Sequence, residues 1–152
     1  MLSNIIVAAT NITCIAPIYT AICHGDIITA AALTFVSIAS FTSHLVENHK
    51  HGMKGIGTSK KTSYFLNRLD VIGCWLVISR FAYLFLEKYG FSTDIYFANK
   101  YTFLMYIIPY LFGISEYDKY NPTLKTRYVI CHGVWHLSIF IGMNHFLNKF
   151  IY

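Results

Sequence analysis

Two histidines, His132 and His136, stand four residues apart inside an apolar run from Tyr128 to Phe146. On a helix that spacing puts both imidazoles on one face, one turn apart, where they can close on one metal ion. Ionisable groups are costly to keep in hydrocarbon, so the pair marks a functional site. A third histidine, His44, closes another apolar run, with Ser40 four residues earlier on the same helical face. Asp70 opens a third run, two residues after Arg68. Three neutral imidazoles that leave one position open form a catalytic zinc site, and a carboxylate beside them can take a proton from water held there. A neighbouring hydroxyl can donate to a developing oxyanion or hold a ligand in orientation.

The elements that must position these groups are membrane-spanning by composition. Hydrophobic residues make up 55% of the 152-residue chain and charged residues 12%, against about 25% charged in an ordinary globular protein. The length suits one domain. Its apolar blocks each approach the roughly 20 residues a helix needs to cross the hydrocarbon layer. The net charge of +5 does not indicate nucleic acid, because the cations flank apolar runs instead of forming one basic face. Cys14, Cys23, Cys74 and Cys131 lie in or at the ends of apolar runs without CxxC spacing, and read as small buried residues.

The expected architecture is an all-α bundle of about five transmembrane helices, with spans at about 4–23, 27–46, 69–86, 95–114 and 128–146. The first is read as a retained span and not a cleaved signal, with Pro17 as a kink and Thr10, Asn11 and Thr13 facing other helices. The third carries Arg80, which needs a carboxylate, a carbonyl or a snorkelling route. Lys100 interrupts the fourth and Pro109 bends it. Between spans two and three lies the most basic loop, with Lys50, Lys54, Lys60 and Lys61. Its His49 and His51 read as solvated, while His145 lies around the helix from His136 and should miss the site.

Topology supplies a test of the histidine pair. Short cytoplasmic loops carry the excess of Lys and Arg, which puts the loops after spans two and four, and the N-terminus, inside. His132 then lies five residues after Arg127, roughly 7 to 8 Å into the last span at 1.5 Å per residue. His44 ends the second span at that face, and Asp70 starts the third there. His44, Asp70 and His132 therefore lie near one depth, with Ser40 one turn deeper, and three spans bring Ser40, His44, Asp70, His132 and His136 to the inner leaflet.

Ser40-x-x-x-His44, Asp70 and His132-Gly-Val-Trp-His136 resemble, in order and helical placement, the signature of the superfamily that joins alkaline ceramidases to adiponectin receptors, often called CREST. The resemblance implies a zinc ion held by His44, His132 and His136, a zinc water held by Asp70, and a site completed by Ser40. It implies hydrolysis of a lipid amide or ester near the cytoplasmic face. That family has seven helices, so this chain reads as an abbreviation by two, leaving the missing wall to lipid or to a second copy in a homo-oligomer.

Blander assignments remain for each residue. Ser40 suits helix packing, and Asp70 suits a helix N-terminus as a cap. Two other functions also stay open: a receptor or assembly protein in which zinc only ties helices together, and a His-box di-iron desaturase or hydroxylase with His44, His49 and His51 as part of a second box.

Overall fold

Apolar blocks broken by short polar turns leave the backbone no partners but its own carbonyls, and every regular element among the described residues is helical. The computed structural model describes residues 1–91 and 104–152. Helix α1 (Leu2–Ala9) tightens into a 3-10 turn (Thr10–Cys14) and resumes as α2 (Ile15–Cys23). The tightening falls just ahead of Pro17, whose ring crowds the carbonyl four residues back, at Thr13, and which offers no N–H to it.

Gly25, at φ 72°, turns the chain, and Asp26 then caps α3 (Ile27–Val46) by accepting from Thr29 N at 3.0 Å. Ser59 caps α4 (Lys60–Tyr89) by accepting from Thr62 N at 3.1 Å, and Gly90 ends it at φ 63°. Helix α5 (Leu104–Glu116) leads through a turn capped by Asn121 into α6 (Lys125–Phe146), which loosens into a π-helical turn at Leu147–Ile151.

Helix α3 is the centre of the packing, with α4 along one side and α1 and α2 along another; α6 closes against α1, the 3-10 turn and α2, and carries α5. Buried Leu33, Val36, Val77, Leu84 and Phe140 form the main core. Helices α3 and α4 touch at Gly73, where a Cβ would sit 3.0 Å from Val36 Cα. Large apolar side chains such as Ile15, Tyr19, Ile38, Trp75 and Ile141 point outward, the arrangement suited to hydrocarbon surroundings. Leu2–Cys23, Ile27–Val46 and Lys60–Tyr89 are long and apolar enough to cross a membrane. Helix α6 has the length, but Lys125, Arg127, His132, His136, Asn144 and His145 lower its apolarity.

Arg80 finds its carboxylate: its Nη2 donates to Asp26 Oδ1 and Oδ2 at 2.9 and 2.8 Å, and Nε to Thr29 Oγ1 at 2.8 Å. Tyr152 OH adds a bond to Asp26 Oδ2 at 3.0 Å.

Two boundaries differ from the sequence reading. The third helix starts at Lys60 and not near 69, because the Ser59 cap and a polar, aromatic first stretch continue the helix beyond the apolar block that hydropathy detects. Asp70 is consequently well inside α4 and does not cap it. The last helix starts at Lys125, three residues ahead of Tyr128. Residues 95–103 of the expected fourth span, Lys100 among them, lie outside the described residues.

Candidate metal centre

Helices α3 and α6 bring three buried histidines together: one ring nitrogen each from His44, His132 and His136 lies within 4.8 Å of the others. The four-residue spacing stacks His132 and His136 with ring centroids 4.8 Å apart. His44 reaches both from the end of α3, at 4.7 and 5.0 Å. Its Nε2 and that of His132 are 3.2 Å apart, close to the roughly 3.3 Å between two nitrogens on a tetrahedral zinc at its usual bond length.

The hydrogen bonds behind the rings decide where the ring protons are. Thr10 Oγ1 donates to Val7 O, so toward His136 Nδ1, 2.9 Å away, it can only accept. Ser115 Oγ donates to Phe112 O at 2.7 Å and stands in the same relation to His132 Nδ1 at 3.0 Å. His44 Nδ1 faces Glu47 Oε2 at 3.4 Å and Tyr128 OH at 3.3 Å, and that hydroxyl already donates to Glu47. These partners favour the proton on Nδ1 of each imidazole, which leaves the Nε2 atoms of His44 and His132 facing each other and that of His136 beside Ser40. Lone pairs held together in a water-poor interior repel one another unless a cation lies between them. The donor set fits a metal of the zinc type.

Asp70 and Ser40 stand beside these nitrogens. Asp70 Oδ2 is 3.8 Å from His44 Nε2, and Ser40 Oγ is 3.5 Å from His136 Nε2. All five residues selected from the sequence are buried and gathered at one place.

A second layer was not selected from the sequence. Glu47 is fully buried, and Asn4 Nδ2 fixes the local backbone by donating to His44 O and Glu47 O at 2.9 and 2.8 Å. Lys50 Nζ lies 3.6 Å from Glu47 Oε1 and 2.9 Å from Glu116 Oε2, and Glu116 Oε1 reaches to 3.8 Å from His132 Nδ1. Burial pushes Glu47 up, but His44, the Lys50 ammonium and Tyr128 together outweigh it and hold the carboxyl down at about 2. Burial likewise opposes the charge on Lys50, and Glu47 and Glu116 reverse that, raising it. Glu47 and Glu116 against Lys50 leave this second layer one negative charge in excess, a field that suits a cation beside the rings.

The loop after α3 is accordingly solvated only in part: Lys54 is exposed, but His51 and Lys50 are buried. His51 is only 1% exposed: its Nε2 lies 3.0 Å from Ser115 O, its backbone N donates to Lys119 O, and its ring stacks on Tyr128 at 4.8 Å. His49 is half-buried, with Nδ1 2.8 Å from Ser63 Oγ. One signal for the second layer was available, since Glu47 follows His44 by three residues and shares its helical side. Thr10 was expected only to face another helix, which it does at His136, and Ser115 carries no signal, being an ordinary hydroxyl that the fold alone brings near a histidine.

An uncharacterized protein of Acanthamoeba polyphaga mimivirus is 50% identical over 152 residues, an alignment covering 99% of this chain and 100% of that protein. No family model matches the chain, and no solved structure matches it.

Proposed function

The chain belongs to the family of that mimivirus protein, and from its converging histidines we propose that it is a membrane-embedded, zinc-dependent hydrolase of a lipid amide or ester. One observation carries the proposal: three Nε2 atoms turn inward with their protons held on Nδ1, beside a buried carboxylate and a buried hydroxyl. The resemblance of Ser40, His44, Asp70, His132 and His136 to the alkaline-ceramidase and adiponectin-receptor signature supports the same reading.

His44, His132 and His136 would hold the ion. Zinc bound there supplies Lewis acidity and lowers the pKa of its water towards 7. Asp70 Oδ2, 3.8 Å from His44 Nε2, would be the acceptor for a proton from water at the site. Ser40 Oγ stands where its hydrogen can bond a carbonyl oxygen that becomes negative. The outward apolar side chains of α3 and α4 suit a substrate that arrives from the bilayer. The site belongs on the cytoplasmic side, where the basic connections after α3 and α5 lie.

A structural zinc that only joins helices is the second reading, favoured by how deeply the three histidines are buried. A di-iron box is disfavoured, because His49 and His51 bond away from the centre and no second cluster of ligating residues occurs among the described residues.

The deciding experiment pairs metal analysis with lipid turnover. One zinc per chain, lost in His132→Ala, with ceramide or ester cleavage that Asp70→Asn abolishes, supports the hydrolase. Iron in place of zinc overturns it. Zinc without turnover of any lipid amide or ester leaves the structural reading.

A further inference from the structure

We infer that Glu47 is a positioning residue of the metal centre: it holds the His44 ring in its orientation and in the Nδ1–H form, so that Nε2 presents a lone pair. The inference rests on the metal-binding reading above. His44 is the only one of the three histidines that α3 contributes, and its ring must be aligned with a pair on another helix. Thr10 and Ser115 do this for His136 and His132 from α6's neighbours. For His44 the task falls to a carboxylate three residues on, past the helix end, with Oε2 3.4 Å from Nδ1.

That carboxylate is itself held. Tyr128 OH donates to the same oxygen, Lys50 Nζ faces the other, and Asn4 ties down the backbone of both His44 and Glu47. A fully buried carboxylate is expensive unless it is bonded and balanced. Here the bonds run to the histidine and to a tyrosine that also reaches that histidine's Nδ1 at 3.3 Å. A glutamate serving only as a counter-ion for Lys50 would need neither, and Glu116 already pairs with Lys50 at 2.9 Å. A carboxylate on the far nitrogen also makes an imidazole a stronger ligand, and loss of such a partner typically lowers metal affinity 10–100-fold.

The test is zinc affinity by chelator competition on the full-length protein in detergent, with the visible absorption of the cobalt-loaded form as a readout of ligand geometry. Glu47→Ala is expected to bind zinc about 10–100-fold more weakly and to shift the cobalt bands. Glu47→Gln keeps the shape and an acceptor oxygen but loses the charge, and is expected to fall between Glu47→Ala and wild type. Wild-type affinity and cobalt bands in Glu47→Ala overturn the inference. If Glu47→Ala does not fold, Glu47→Gln decides against wild type, equal affinity overturning it. His44→Ala separates the two levels: zinc binding that survives it removes the metal reading itself, whereas zinc lost in His44→Ala and unaffected in both Glu47 variants removes only the role of Glu47.

Discussion

His44 and His132 face each other through Nε2 atoms 3.2 Å apart, and the groups behind both rings keep the protons on the opposite nitrogens. Two lone pairs in that relation repel, and on the metal-binding reading a cation between them removes that repulsion.

Metal removal should therefore loosen the fold. Zinc at a thousand times its dissociation constant contributes about 4 kcal/mol to the bound form. Stripping the protein with a chelator in detergent is expected to lower its melting temperature, and added zinc to restore it. A melting curve indifferent to both would mean that the three histidines hold no ion.

Asp70 and the histidines should separate in their effects. Asp70 lies 3.8 Å from His44 Nε2 without being one of the three converging nitrogens. Asp70→Asn should keep the metal by elemental analysis and lose about 10²–10⁴-fold in lipid hydrolysis. Unchanged turnover would take Asp70 out of the chemistry.

Gly73 sets the distance between α3 and the helix that carries Asp70. A methyl there meets Val36 Cα, a backbone atom that cannot step aside. Gly73→Ala should destabilise by about 1–3 kcal/mol through overpacking and, by displacing Asp70, reduce hydrolysis more than it reduces zinc content. Gly113 has open space around its Cβ position, so Gly113→Ala should be neutral or gain up to about 1 kcal/mol of helix propensity. Equal melting temperatures for the two variants would show that the α3–α4 contact is slack.

The Asp26–Arg80 pair predicts an acid limit. Burial pushes the Asp26 carboxyl up, but bonds from Thr29, Arg80 and Tyr152 outweigh it and depress it from 3.8 to about 2. A depressed carboxyl stabilises fully above its unfolded value and stops doing so as pH falls through its folded one. About 2 kcal/mol is then present above pH 4 and fades towards pH 2. Asp26→Asn keeps the α3 cap, since Asn is a good N-cap, but should flatten the melting temperature over that window. Arg80→Met strands the carboxylate and should cost about 3 kcal/mol at neutral pH. A wild-type acid profile in Asp26→Asn would show that another group sets the limit.

The site was legible where one helix or one depth carried the information. Four-residue spacing gave the facing of His132 and His136, and Ser40 with His44 follow the same rule. Counting residues from the cationic loops placed His44 and Asp70 level with them. Most of the second layer was not legible, because Thr10, Lys50 and the neighbours Ser115 and Glu116 come from three separate segments of the chain. Hydropathy also stopped short at α4, whose first residues are helical through the Ser59 cap and not through apolarity. The loop with His49 and His51 misled for a related reason. Its charges suggested water, whereas Lys50 is paired inside and His51 is pinned to the connection between α5 and α6.

Thr10 meets His136 across 126 positions of the chain. A ribosome releases residues in order, N-terminal first, so Thr10 and His44 exist long before the helix that completes their centre. Until α6 has emerged and docked, only one of the three converging nitrogens is available, and one imidazole is a poor trap for an ion. On the metal-binding reading, loading is thus tied to the docking of α6: a chain interrupted before that helix lacks two of the three converging nitrogens.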